Sequence, residues 1–255
     1  MKCRFTPSLW MMALLLAFAA CKSRKDAQKT PTIRTIPDSV AAAYREDAAR
    51  LTVRELYRTS QPVEDDAELP QDRVDYYYDL LSRVYWMCVD SPSIPDLTGI
   101  HTLKRPDLRQ VRVVLDKDSP FKENWSKGIL LTSNLYLNQL IAKHELMIKN
   151  YRETHVGPML ILESPNYLNT PELAFLIKNF ETVRSAEPEG ASSDGNDITW
   201  GTDSKNAMSL KYSIGAINCQ SDCIQRKYWI FHVLPDSSIR YMGTRGMIPK
   251  ELEPR

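Results

Sequence analysis

Glycine is scarce in this chain, with 9 residues against 16 prolines in a length of 255. That ratio argues against low-complexity linkers and for short loops stiffened by proline. There is no glycine-rich phosphate loop, Gly-x-Ser-x-Gly elbow, His-Glu-x-x-His helix or calcium loop, so the commonest motif-borne chemistries are excluded. An excess of one charge is missing too. Lys and Arg number 33 against 32 Asp and Glu, which is not the basic surplus of a nucleic-acid binder. The four histidines, His101, His144, His155 and His232, are scattered without ligand spacing, so neither a metal nor another cofactor is expected. Beyond residue 20 no apolar stretch approaches the ~20 residues of a membrane span. What is present, 43% apolar and 25% charged residues, is the composition of a globular chain.

The one long apolar run, Leu9 to Ala20, follows the basic residues Lys2 and Arg4 and ends in two alanines before Cys21. A basic start, an apolar core of about a dozen residues and small residues at the cut form a secretory leader. Phe18-Ala19-Ala20-Cys21 resembles the lipobox of bacterial lipoproteins. The resemblance implies that residues 1–20 are removed and that the Cys21 thiol carries a diacylglycerol, which serves as the membrane anchor. The alternative is an ordinary secreted protein with a free Cys21. Lys22 stands where lipoproteins retained at the inner membrane carry Asp, so the resemblance implies an extracytoplasmic protein sorted to the outer membrane. Residues 21–37 then form a lipidated tether. Within it Lys22, Arg24, Lys25, Lys29 and Arg34 face the single acid Asp26, which suits a spacer and adhesion to anionic lipid.

Four cysteines follow the leader: Cys21, Cys88, Cys219 and Cys223. In an oxidising compartment Cys219 and Cys223 are expected to form a structural bridge across a tight turn. Free thiols are the alternative, with metal or redox chemistry the least supported by a three-residue spacing. With Cys21 lipidated the remaining count is odd, so at least one thiol stays free or pairs with another chain.

Asp38 is expected to cap a helix running to about Tyr57, with Tyr44, Ala48 and Leu51 on one side and Ala49, Val53 and Leu56 nearly opposite. A helix apolar on two sides is sandwiched. The acidic loop Gln61–Leu69, with Glu64, Asp65, Asp66 and Glu68, reads as solvated. A second helix starts at Pro70 with Val74, Tyr77, Tyr78, Leu81 and Tyr85 at helical spacing, and its three successive tyrosines read as core. Val111–Leu115 reads as a strand, with a turn or short helix around Trp125. A helix from Asn134 to Met147 places His144 on the apolar stripe as a core histidine. Met159–Leu162 is a strand, Thr170-Pro171 opens a helix with Leu173, Leu176, Ile177 and Phe180 on one face, and Val183–Ala186 is a strand. After a loop over 189–196, Met208–Ile214, Tyr228–Val233 and Ile239–Tyr241 alternate as antiparallel sheet. The class is therefore α+β, a helical N-terminal half packed on a C-terminal antiparallel sheet. Residues 38–255 read as a single domain with a candidate subdomain boundary near 190–197.

Two further resemblances bear on function. The stretch from Ile217-Asn218-Cys219 through Cys223-Ile224 to Tyr228-Trp229 resembles a motif of uncharacterised secreted bacterial proteins, which implies a coherent domain and no particular activity. Met159–Leu162, the helix through Phe180 and Val183–Pro188 resemble the β-α-β end of subtilisin propeptides and related inhibitors, which implies protease inhibition. Here, however, the last strand runs on into more sheet instead of a free tail. The leading expectation is a non-enzymatic binding or structural module of the cell envelope, with an envelope protein as partner. Its alternatives are an envelope hydrolase or thiol-dependent enzyme and an inhibitor-like module. An enzyme requires Cys88 or a carboxylate within hydrogen-bond reach of a histidine in a polar cleft. A binding module requires an exposed aromatic or apolar patch.

Overall fold

In a computed structural model the described residues are 34–59, 67–190, 195–202, 207–217 and 224–254. Helix α1 (Asp38–Thr59) is the layer on which both halves of the fold rest. Its first hydrogen bond runs from the Ala41 N–H to the Pro37 carbonyl at 2.8 Å. Asp38 therefore sits inside the first turn, favourably placed against the positive helix end, and not at the predicted cap. The two apolar stripes of α1 serve different cores. Tyr44, Ala48 and Leu51 enter the larger core, while Ala49 and Val53 meet Leu108, with Leu69 and Tyr167 beside them.

Helix α2 (Gln71–Asp90) follows Pro70, whose carbonyl accepts from the Arg73 and Val74 N–H groups. Proline is tolerated there because the first N–H groups of a helix have no intrahelical acceptor. Val74, Tyr77, Leu80, Leu81 and Val84 are buried, and Tyr76 and Tyr78 pack at the margin of that core.

The chain then forms β1 (Gln110–Leu115), α3 (Lys122–Ser126), α4 (Leu135–Lys143), β2 (Met147–Thr154), β3 (Gly157–Glu163), α5 (Thr170–Lys178) and β4 (Val183–Pro188). These strands close an antiparallel sheet in the order β2-β3-β1-β4. Two split β-α-β units interleave, β1 with β2 around β3 and β3 with β4 around β1, which is the ferredoxin-like arrangement. Along β1, Val111, Val113 and Leu115 are buried while Arg112 and Val114 face outward, the period-two pattern of a sheet covered on one face. Their core partners include Trp125, Leu137, Leu140, Leu160, Leu162, Leu173 and Ile177.

Helix α4 was predicted to reach Met147 and ends at Lys143 instead. Glu145 adopts a φ of 51°, the Glu145 N–H bonds to the Ala142 carbonyl, and the Leu146 N–H reaches back to the Ile141 carbonyl. This is the Schellman stop, here made by a glutamate at a position that usually holds glycine. Leu146 pays for the strained turn by burying its side chain in the core. Met147 consequently opens β2, a strand absent from the sequence reading because no residue of it is fully buried.

A second antiparallel sheet, β5 (Asp197–Thr202), β6 (Met208–Ile217), β7 (Ile224–Val233) and β8 (Ile239–Gly246), runs in simple sequential order. Leu210 and Tyr212 of β6 and Trp229 and Phe231 of β7 pack with the residues of α1 and α2 in the larger core. The α+β class read from the sequence is the observed one. Its strands divide between two sheets, because those from 110 to 188 pair among themselves and do not extend the C-terminal sheet. Residues 36–255 form one compact unit. Cys21, Lys22, Cys219 and Cys223 lie outside the described residues, as do Glu64, Asp65 and Asp66. Glu68 is described and approaches the Lys143 ammonium at 3.4 Å.

Candidate functional site

Three polar side chains on one side of α1 hold the segment that leads into β1. Asp47, 1% exposed, accepts from the Thr102 N–H and the Thr102 hydroxyl at 2.7 Å each, and its second oxygen lies 2.8 Å from His101 Nδ1. One turn on, Arg50 donates to the Thr102 hydroxyl at 2.9 Å, to the Pro106 carbonyl at 3.2 Å and to Glu46 at 2.9 Å. A further turn on, Arg54 donates to Asp197 at 2.8 Å, to the Ile198 carbonyl at 3.0 Å and to the Leu103 carbonyl at 2.9 Å. A buried charge survives only when its hydrogen-bonding capacity is met, and here residues 101–106, through backbone and side chains together, supply most of the partners. The segment is thereby fixed along α1 before the chain crosses to the first sheet.

That clasp shapes a cleft of about 500 Å³ between α1, the clasped segment, α5 and β4. Val53 and Tyr57 come from α1 and Pro106 from the segment. Pro171, Ala174 and Phe175 come from α5, and Ala186 and Pro188 from β4. Two large aromatics stand open at this place, Tyr57 at 79% and Phe175 at 57% exposure. The exposure of Phe175 follows from the helix itself. Leu173, Leu176 and Ile177 point into the core, and Phe175 and Lys178 fall off that stripe. The charged rim consists of Arg54, Arg105, Lys178 and Glu187. Arg54 is committed to Asp197, and Glu187 approaches Arg112 at 3.5 Å. Among the described residues, Arg105 and Lys178 have no ion-pair partner. A largely apolar concavity with a few polar groups, seated between two packed layers, has the size and character of a ligand site.

The residues singled out from the sequence lie elsewhere. Cys88 borders a separate cleft of about 320 Å³ with Val40, Tyr85, Val89, Asp96 and Thr98, a lining that contains no histidine. Burial pushes its thiol up to about 11, against the weaker pull of a hydrogen bond to the Leu97 backbone. At neutral pH it is therefore a thiol and a poor nucleophile. His144 is the C-cap of α4 and is buried, and its carbonyl accepts from the Ser164 hydroxyl at 2.8 Å. His155 lies in the β2–β3 turn and His232 on β7 opposite Arg240. His101 does meet a carboxylate. The hydrogen bond to Asp47 raises its pKa, partly opposed by burial. Neither His101 nor Asp47 lines either cleft. Among the described residues no group of three or more His, Cys, Asp or Glu is placed to hold a metal ion, and no helix is long and apolar enough to cross a membrane.

Sequence reasoning missed Tyr57, Phe175, Arg105 and Lys178. A signal for Phe175 was available, since an aromatic that breaks the stripe of its own helix has no place in the core. Comparison of the chain with protein-family models, curated proteins and solved structures gives no match.

Proposed function

We propose that this protein is a non-enzymatic binding module of the bacterial cell envelope, tethered by lipid on Cys21 and presenting the α1–α5–β4 cleft to its ligand. The cleft carries the reading, because two exposed aromatics over an apolar floor form the kind of patch that marks an interaction surface. The pattern Leu9 to Cys21 supports the anchor, and Lys22 supports sorting to the outer membrane. Incorporation of labelled fatty acid is expected to vanish in Cys21→Ser, and Lys22→Asp is expected to shift the protein to the inner-membrane fraction. Labelling that survives Cys21→Ser overturns the anchor.

The cleft is tested on the unlipidated Cys21→Ser chain by fluorescence titration with 1-anilinonaphthalene-8-sulfonate, an anion with an apolar body. Saturable enhancement is expected, weakened about tenfold, or ~1.4 kcal/mol, by Tyr57→Ser combined with Phe175→Ser at unchanged circular dichroism. Equal enhancement in both proteins overturns the reading. A hydrolase is the second reading, favoured by the Asp47–His101 pair, which lies outside both clefts but in which the acid orients an imidazole whose side chain is 43% exposed. Its mark is a hydrolytic activity lost in His101→Gln and retained in Phe175→Ser.

A further inference from the structure

The cleft has one wall that an apolar pocket does not need, which is the open edge of a sheet. β4 pairs only with β1 among the described strands. Opposed residues of an antiparallel pair alternate between those that exchange hydrogen bonds and those whose backbone groups point away. The Glu189 N–H donates to the Gln110 carbonyl at 2.9 Å, which sets the phase. Following the register, Glu187 exchanges bonds with Arg112, while Ala186 and Pro188, opposite Val113 and Val111, turn their backbone groups outward. Ala186 and Pro188 both line the cleft. The wall therefore offers one N–H and two carbonyls two residues apart, the spacing at which an added strand bonds. Beyond them lie Phe175 and Tyr57, and on the rim the two cations without ion-pair partners among the described residues, Arg105 and Lys178. Neither this cleft nor the one beside Cys88 is lined by β2, the other edge of the same sheet. Its strand exposes Lys149, Arg152 and Glu153, the usual guard against accidental pairing.

We propose that the cleft binds an extended polypeptide segment that adds to the β4 edge, sets alternate apolar side chains against Phe175 and Tyr57, and pairs carboxylates with Arg105 and Lys178. This rests on the reading of the cleft as a ligand site and names its ligand class. The directional backbone groups distinguish a peptide from a lipid-like amphiphile, which has no use for them. The charge of the rim, with Arg54 and Glu187 already paired, asks for acid on the partner.

The probe is the fluorescein-labelled heptapeptide Glu-Val-Glu-Phe-Glu-Val-Glu, titrated by anisotropy into the unlipidated Cys21→Ser chain. Saturable binding is expected, weakened about tenfold or more when the Glu residues become Lys, when the Val and Phe nitrogens are methylated, and in Arg105→Glu or Phe175→Ser protein. Amide exchange at Ala186 is expected to slow in the complex. Equal binding of the N-methylated peptide, or unchanged exchange at Ala186, overturns strand addition. Displacement of the peptide by dodecanoate with Ala186 exchange unaffected by the peptide assigns the cleft to an amphiphile and also overturns it. Failure of every peptide while the naphthalene probe still binds refutes this inference and leaves the cleft a binding site.

Discussion

The buried Asp47 clasp makes a sharp thermodynamic prediction. In Asp47→Ala, the Thr102 N–H and hydroxyl and His101 Nδ1 all lose their acceptor. Each buried donor left without its acceptor costs about 1–3 kcal/mol, so losing the acceptor of the Thr102 N–H and hydroxyl is expected to cost about 2–5 kcal/mol. In Asp47→Asn an acceptor remains for Thr102 but the charge is gone, so the expected loss is about 1–2 kcal/mol. The pH dependence follows from His101, whose pKa is raised in the folded state by the hydrogen bond to Asp47. A raised folded pKa adds stability that is fully present below the unfolded value of about 6.5 and is lost as pH rises through the folded value. Because the His101 side chain is 43% exposed, solvent screening limits this part to under about 1 kcal/mol. Urea unfolding of wild type and Asp47→Asn at about pH 5.5 and about pH 8.5 reads both terms, with slopes compared to exclude a change in the denatured state. The gap between the two proteins is expected to be wider at the lower pH. A gap independent of pH, or an Asp47→Asn protein as stable as wild type, refutes the clasp.

Arg54→Ala is expected to cost about 2–4 kcal/mol in urea unfolding, because Asp197 and the Ile198 and Leu103 carbonyls lose a shared donor. Arg54→Lys is expected to recover less than half of that loss, since one ammonium cannot reproduce the forked geometry. Gly157 has a φ of 145°, and a Cβ there would collide with the Leu115 carbonyl oxygen. Gly157→Ala is thus expected to destabilise by about 2 kcal/mol or more, read from the urea midpoint. In a Cys219→Ser, Cys223→Ser background, iodoacetamide is expected to label Cys88 slowly at neutral pH, with the rate climbing towards a midpoint near 11. A midpoint near the ordinary thiol value of about 8.5 would contradict the burial of that thiol.

What was legible in the sequence is what period and punctuation encode. The two stripes of α1 are readable because Tyr44, Ala48 and Leu51 lie nearly opposite Ala49 and Val53, and each stripe found its own core. Val111, Val113 and Leu115 alternate cleanly, and Pro70 and Thr170-Pro171 mark helix starts. Hidden features lacked a local pattern. β2 exposes most of its residues, so no alternation announces it, and the stop of α4 is made by Glu145 where a glycine would have signalled it. Which strands share a sheet is a long-range matter. β1 finds β4 about seventy residues later through pairing that no window of sequence contains. The cleft was hidden for the same reason, since Tyr57, Arg105, Phe175 and Pro188 converge only once α1 has clasped the 102–106 segment. The Asp47–His101 pair, 54 residues apart, is another such convergence.

Where an apolar anion settles on the surface decides most directly whether the cleft is the binding face. Backbone amide shifts of the unlipidated Cys21→Ser chain, recorded during titration with 1-anilinonaphthalene-8-sulfonate, locate it residue by residue. The expected result is a cluster of saturating shifts over Val53–Tyr57, Ala174–Lys178 and Ala186–Glu187. Shifts centred instead on another exposed apolar stretch, such as Ile129, Leu131, Leu135 and Tyr136, or on the residues around Cys88, would contradict it.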